Sequence, residues 1–482
     1  MSTLEPHAPR LRPRAPSPAA GEARPRVENP ASPAGHLAVT SFDVPAGALE
    51  DPWRGLEGAL QAPTWFAWSD ERRGVAFVAS GVAAQWSRAK AGPLGMPGGA
   101  GDPRFRWREQ FAAHPNAPLV LAGRGFASGC AALSTSPWRG LPGVRFWVPN
   151  WIVFRRPETR GALAVARQGN RPQGPGAANF LAHARVHRAA ATTSLRWRSV
   201  PSLETYQARV ADAVGTLREN HPAGGLEKVV LCRTAVATSD EGPFDAAATL
   251  RALRRDHPDA IVFGVGFGDG RAFVGATPEL LAHVTAGHLF TQAVAGTAPA
   301  GAPDAALLAS DKDRHEHALV VDGIVATLAP LAARIDGADA PPRVARAGRI
   351  QHLVTPLEAP LKDGSGVLDV VDRLHPTPAL CGTPRDAAAA YVRRHEGVDR
   401  GWYGAPVGWT SPDGDGTFAV AIRSALLDGR HAYAYAGAGV VAASDPRRER
   451  EETEQKLTTL ATALRSSKLR PSSGVTEPRG VS

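Results

Sequence analysis

The run Leu308-Ala309-Ser310-Asp311-Lys312-Asp313-Arg314-His315-Glu316-His317 concentrates charge in a helical segment, and far along the chain Glu449 and Glu452 stand three residues apart. Helical residues three apart share a face, so these two carboxylates point the same way. With Glu316 they offer three acidic oxygen donors, a set suited to a hard cation such as Mg²⁺ completed by waters. The plainer reading of the pair is a solvated Arg/Glu face, since Arg447, Arg448, Arg450 and Glu451 are its neighbours. His315 and His317 have the look of metal ligands, but helical residues two apart diverge and cannot chelate one ion together.

Lys228 opens the apolar run Val229-Val230-Leu231, where a lysine ordinarily carries its ammonium out to water. Glu279 follows Gly275-Ala276-Thr277-Pro278 at the end of a strand pattern, a place where carboxylates mostly serve as caps. Gly437-Ala438-Gly439 ends a run with alternating Tyr433 and Tyr435. Bare backbone there either offers N–H groups to an anion or makes a tight bend. Singly, none of these features decides a function.

The elements that must position them are those of a globular chain. Its 482 residues, 43% hydrophobic and 21% charged, suffice for one large domain or two to three ordinary ones. No apolar run reaches the roughly 18 residues of a membrane helix. Nor does an apolar stretch follow the N-terminal positive charges, so no secretory signal is expected. Cys130, Cys232 and Cys381 are few, odd in number and far apart. That argues against a disulfide framework or zinc site and predicts a cytoplasmic protein. The formal charge is +9, with a net two charges before residue 40 and three from Arg465 onward. With so much of it in the tails and no aromatic-interleaved basic stripe in the body, nucleic acid is not the expected partner. A basic surface also attracts small anionic substrates.

Residues 1–36, rich in Pro, Ala and Arg, are expected to be disordered, as are 467–482. Residues 37–200 carry short strand patterns, among them Gly74–Val78, Leu119–Gly123 and Val144–Pro149, with tryptophans suited to a core. From 201 to 466 the pattern mixes helices and strands. A polar helix over about 202–220 precedes the strand at Lys228–Arg233, and a helix at about 245–256 leads to a hairpin turning at Asp269-Gly270. Glycines 264, 266 and 268 follow G-x-G-x-G with no helix behind them, which predicts a strand closely approached by another group rather than a dinucleotide loop. A long helix is expected over about 304–334, strands near 404–409, 417–424 and 432–441, and a last helix capped by Asp445 with Pro446 at its first position. Strands in runs with helices between them predict α+β with large antiparallel sheets.

Read together, these blocks resemble the chorismate-utilising enzymes, which include isochorismate, salicylate, anthranilate and aminodeoxychorismate synthases. The resemblance spans about 201–465 and rests on Glu227–Arg233, Gly275–Leu281, Ala295-Gly296-Thr297, Ser310–His317, His375–Gly382, Gly401-Trp402-Tyr403, Ala421–Ala425 and Gly437 through Lys456. It implies that family's fold, antiparallel sheets flanked by helices around a central cleft, and chorismate as substrate. Members that add ammonia typically have Gln where this chain has Lys228, so water is the implied nucleophile. Ala295 stands where aminodeoxychorismate synthases commonly place a nucleophilic Lys. The implied activity is that of an isochorismate synthase, with salicylate synthase as the alternative because it shares the lysine. The chain departs from the family at Gly404-Ala405, often Ala-Gly, and at Ala300, commonly Arg.

The resemblance also implies roles. Lys228 would be the base that activates water and Glu279 the acid that protonates the leaving hydroxyl. Glu316, Glu449 and Glu452 would hold Mg²⁺. Tyr403 and Arg423 would bind the enolpyruvyl carboxylate, the amides around Gly437 and Gly439 the ring carboxylate, and Thr297 and His375 would position the ring. A monomer is usual in the family.

Overall fold

Two antiparallel sheets organise the described residues. The computed structural model describes residues 37–90, 92–94, 119–126, 136–157, 159–167, 194–219, 225–348 and 350–466. The tails expected to be disordered, and Cys130, lie outside the described residues.

The first sheet runs, neighbour by neighbour, through Leu37–Ser41, Arg160–Arg167, Trp151–Arg155, Val75–Ser80, Thr64–Asp70, Ile261–Phe267, Ala272–Thr277, Ser424–Asp428, His431–Val440, Lys228–Ser239 and Gly382–Thr383. Leu195–Val200 also pairs with Lys228–Ser239. The second runs through Arg343–Ala347, Ile350–Pro360, His288–Pro299, Leu280–Thr285, Gly416–Val420, Pro406–Thr410, Val120–Arg124, Val144–Val148 and Ala84–Arg88. Strands from before residue 200 and after it interleave in both sheets: Thr64–Asp70 pairs with Ile261–Phe267, and Val120–Arg124 with Pro406–Thr410. The fold is therefore α+β, as the run of strand patterns predicts.

Side chains alternate between the two faces of a strand, and three apolar layers result. Between the sheets lie Phe66, Trp68, Phe77, Trp147, Phe263, Phe273, Trp402, Tyr403, Trp409 and Tyr435. Edge-to-face ring contacts cross this layer from Phe66 to Trp147 and from Phe77 to Trp409, the geometry ring quadrupoles favour. The outer face of the first sheet packs on helices Ala246–Asp256 and Pro446–Arg465. That of the second packs on Asp311–Leu328 and Val367–Leu374. No helix of the described residues is long and apolar enough to cross a membrane.

Trp53, Trp65, Trp68, Trp138 and Trp147 fill the core as expected, while Trp86, Trp151 and Trp197 are only partly buried, and the glycine spacing has the predicted cause. A Cβ on Gly264 or Gly266 would fall 2.8 or 2.3 Å from the Trp65 indole, so the strand can carry no side chain there. Asp269-Gly270 does turn a hairpin, with Gly266 opposite Ala272. Asp445 accepts hydrogen bonds from Arg447 N and Arg448 N at the start of the last helix, with Pro446 at its first position. The helix expected over 304–334 is two helices, Asp304–Leu308 and Asp311–Leu328. Ser310 is the break: its hydroxyl accepts from Asp313 N and caps the second helix, which competes with continuing the first.

Leu460 is fully buried between the last helix and the first sheet. Leu460→Ala is expected to lower unfolding free energy by about 2–5 kcal/mol, read from the shift in urea midpoint at unchanged slope.

Candidate active site

The register of two strands sets the floor of the site. Val230 lies opposite Gly439 and Cys232 opposite Gly437, and side chains two apart share a face. Lys228, Val230, Tyr435, Gly437 and Gly439 accordingly line one cavity. Val230 and Cys232 spend their backbone groups on the edge away from these glycines: Val230 N donates to Cys381 O at 2.9 Å, and Cys232 N to Glu396 Oε2 at 2.8 Å. In an antiparallel ladder both are therefore non-hydrogen-bonded pairs, and the N–H and C=O of Gly437 and Gly439 point the other way. The neighbouring strand on that side stops pairing at Ala434, and Gly437 O there accepts from Lys456 Nζ at 2.9 Å.

Lys228 is wholly buried, with its Nζ 3.0 Å from Glu316 Oε1. A Cβ on Gly439 would sit 2.3 Å from Glu316 Oε1 and 3.1 Å from Lys228 Cε, so the missing side chain makes the room for this pair. Glu449 and Glu452 are held in the same manner, Glu449 by Lys312 Nζ at 2.8 Å and Glu452 by Lys456 Nζ at 2.5 Å. Burial and the charges of Glu452 and Glu316 push the Glu449 carboxyl up to about 7, against the pull of Lys312. The three expected metal carboxylates are thus near enough to repel one another, yet each leans on a lysine. Among the described residues no group of three His, Cys, Asp or Glu side chains is arranged to hold a metal.

Glu279 sits where the strand Ala272–Thr277 ends, with its N–H donating to Thr277 Oγ1. Burial raises its carboxyl to about 7, against the opposing charges of Lys456, Lys228 and Arg423. Near neutrality it is half protonated, the condition for a proton donor. Tyr403 stacks on Tyr435 at 5.3 Å, and its phenol is kept protonated by burial. Arg423 is buried in the wall of the cavity and takes a left-handed backbone, φ 51°. Burial lowers its guanidinium to about 10, which leaves it charged at neutral pH. No described acidic side chain forms an ion pair with it. A buried, unpaired guanidinium beside a phenol is a receptor for a carboxylate.

The cavity gathers Lys228, Glu279, Thr297, Glu316, Tyr403, Arg423, Gly437, Gly439 and Glu452 from the residues the sequence singled out. Glu449, turned to Lys312, and His375 are not among its lining. His375 Nε2 meets Phe126 O at 3.0 Å, and the ring packs edge-on against Phe126. The histidine in the wall is His352, opposite Thr297 in the strand pair, with Nδ1 3.2 Å from both Gly296 O and Thr297 Oγ1. A carbonyl only accepts, so Nδ1 carries the proton. Burial lowers this imidazole to about 3, leaving it neutral with Nε2 as acceptor. His315 is exposed and His317 is spent on Thr355, so neither belongs to the site. Sequence reasoning also missed Lys312 and Lys456. Their spacing from the carboxylates, four before Glu316 and four after Glu452, is the one signal that put them on the same helical faces.

The chain matches the chorismate binding enzyme family over residues 50–465. It is 44% identical over 266 residues to the salicylate biosynthesis isochorismate synthase of Pseudomonas aeruginosa, a stretch that covers 54% of this chain and 54% of that one. It is 38% identical to a Mycobacterium tuberculosis protein provisionally named isochorismate synthase MenF, over 69% of this chain and 98% of the relative. The structure of the menaquinone-specific isochorismate synthase MenF from Escherichia coli superposes with a TM-score of 0.72 at 25% identity, covering 89% of this chain and 95% of that one.

Gly439→Ala places a methyl against a side-chain end rather than backbone. The variant is expected to fold with a loss of about 1–3 kcal/mol, measured by thermal melting. Its crystal structure should show Glu316 and Lys228 more than about 4 Å apart, beyond ion-pair range. An intact pair would show that the glycine is not what admits it.

Proposed function

Because the chain belongs to the chorismate-binding enzymes, we propose that it is an isochorismate synthase. The single observation that carries this reading is a buried amine, Lys228, in one cavity with a carboxyl held at about 7, Glu279.

Chorismate is a cyclohexadiene with a ring carboxylate, an enolpyruvyl ether and a C4 hydroxyl. Isochorismate forms when water adds at C2, the ring double bonds shift and the C4 hydroxyl leaves. Water is a poor nucleophile and hydroxide a poor leaving group, so a base and an acid must act together. Lys228 acts in its neutral amine form, the pair with Glu316 having given up its proton beforehand, and takes the proton from water as the C2–O bond forms. Glu279 delivers a proton to the C4 oxygen as the C4–O bond breaks, so a second water departs and the ring gains no net atoms. Tyr403 and Arg423 receive the enolpyruvyl carboxylate, in keeping with their burial and the absence of an acidic partner among the described residues. The N–H groups of Gly437 and Gly439, directed away from their strand partner, suit the ring carboxylate. Thr297 and neutral His352 flank the ring. His375 lies outside the lining, against Phe126, and takes no such place.

The donor chemistry fits Mg²⁺. Glu316, Glu449 and Glu452 are oxygen donors close enough that the charges of Glu452 and Glu316 help burial raise the Glu449 carboxyl, and they would hold the ion once released from their lysines. When bound, the ion supplies positive charge that offsets the ring carboxylate and the developing charge of the leaving group.

The direct test is purified protein with chorismate and Mg²⁺, the products resolved by chromatography. Isochorismate alone is expected, with turnover abolished by EDTA and restored by added Mg²⁺. Salicylate with pyruvate would replace this reading by a lyase, and no turnover would remove it. Lys228→Ala is expected to abolish turnover in a folded protein, as judged by circular dichroism.

The pH dependence has a defined sign. The Glu279 carboxyl is raised above its ordinary value, so the required proton is present below about 7 and lost as pH rises through it. With Lys228 already in the neutral form the step requires, kcat/KM should therefore fall by up to tenfold per pH unit above about 7. Glu279→Gln, with no proton to give, should lose turnover by about 10²–10⁴-fold. A wild-type profile flat to pH 9 would remove Glu279 as the acid.

A further inference from the structure

The strand that carries Lys228 has a break in one of its ladders. Along one edge it is bonded to His431–Val440 throughout. Along the other, Gly382–Thr383 covers Lys228 and Val229, and Leu195–Val200 covers Thr234 to Ser239. Among the described residues no strand covers 230 to 233, although these are buried, and unpaired buried backbone groups cost roughly 1–3 kcal/mol each.

Two side chains occupy that gap. Arg400 Nη2 donates to Val230 O at 2.8 Å, and Glu396 Oε2 accepts from Cys232 N at 2.8 Å. The two are bound to each other, Arg400 Nε to Glu396 Oε1 at 2.7 Å, with a second contact between Nη2 and Oε2. Both are almost fully buried, and Arg400 Nη1 donates in addition to Leu380 O at 2.8 Å. The ion pair thus presents to the strand what another strand would: one donor for a carbonyl and one acceptor for an amide.

The same arginine begins the turn Arg400-Gly401-Trp402-Tyr403, in which Tyr403 N donates to Arg400 O at 2.8 Å. Lys228 lies two residues from Val230 on the cavity face. One buried pair is therefore fastened both to the strand of the base and to the loop of the carboxylate-binding phenol.

A buried ion pair is a weak source of stability, since apolar residues of equal volume often serve as well or better. Here they would leave Val230 O and Cys232 N without partners. We infer that Arg400 and Glu396 are positioning residues that bridge the gap in the ladder and fix Lys228 and Tyr403 relative to each other. Neither touches substrate. The inference rests on the roles proposed for Lys228 and Tyr403.

Hydrogen-exchange mass spectrometry and steady-state kinetics on the full chain test it, with Arg400→Lys and the isosteric Glu396→Gln as variants and Leu460→Ala as a destabilised control. In both variants the peptide over 229–233 should exchange at least about tenfold faster than in the wild type, from loss of side-chain partners to buried backbone. With chorismate, kcat/KM should fall by on the order of 10²-fold, the scale of a misplaced catalytic group. The rise in KM should vanish in a Tyr403→Phe background while the fall in kcat persists. Leu460→Ala should show neither change at a temperature where it is folded. If Arg400→Lys does not fold, Glu396→Gln decides alone, because its one carbonyl oxygen cannot replace both carboxylate oxygens: an NH2 group, which only donates, then faces Arg400 Nε or Cys232 N. Unchanged exchange and kinetics, or the same changes in Leu460→Ala, would overturn the inference. A wild type that leaves chorismate untouched would instead remove the proposed function, and the exchange arm would still decide the bridge.

Discussion

A fully buried ammonium set 3.0 Å from a carboxylate, with only a glycine beneath them, is the constraint around which the site is organised. Two charges taken out of water lose several kcal/mol of hydration each, and only close mutual contact returns it. Lys228 reaches Glu316 because the neighbouring strand carries Gly439, opposite Val230, where a side chain would stand between them. The pair therefore fixes three segments at once: the strand of the base, the glycine-bearing strand and the helix Asp311–Leu328. Slipping either strand by one residue would turn its cavity-facing side chains to the opposite face.

The rest of the cavity extends the same electrostatic logic. Three carboxylates are answered by three lysines, and Arg423 stays charged without an acidic partner among the described residues. The excess of positive charge on that wall suits a ligand with two carboxylates. Burial works oppositely on the neutral members: it keeps the Tyr403 phenol and half of the Glu279 population protonated, and it strips His352 of its charge. One low-dielectric setting thus yields a proton donor, a hydroxyl donor and a neutral imidazole side by side. The aromatic layer between the sheets supplies that setting, and Tyr403 and Tyr435 belong to both.

Much of the fold was legible along the chain. The Asp269-Gly270 hairpin and the Asp445 cap are decided within a few residues and stand where the sequence placed them, whereas the strand expected near 417–424 is two, Gly416–Val420 and Ser424–Asp428, in different sheets. The helix break at Ser310 escaped notice because charged residues on either side read as one amphipathic run. The serine's capping bond to Asp313 N outweighs that pattern. Among site residues, His375 sat in a block rich in family likeness but turns to Phe126 O, whereas His352 came from a strand that drew no attention. A histidine's type does not say which way it faces; its partner across the sheet does.

The sequence by itself determined the kinds of group available, the elements that carry them and the family the chain belongs to. Those follow from local sterics, capping and residue order. Only the tertiary structure decided which lysine faces which glutamate, which amides of Gly437 and Gly439 turn away from their ladder, and that Glu396 and Arg400 fill a missing rung. Each of these depends on register and burial between segments separated by scores of residues. Charge interactions and proton affinities take their strength from that burial, so no reading along the chain alone could have assigned them.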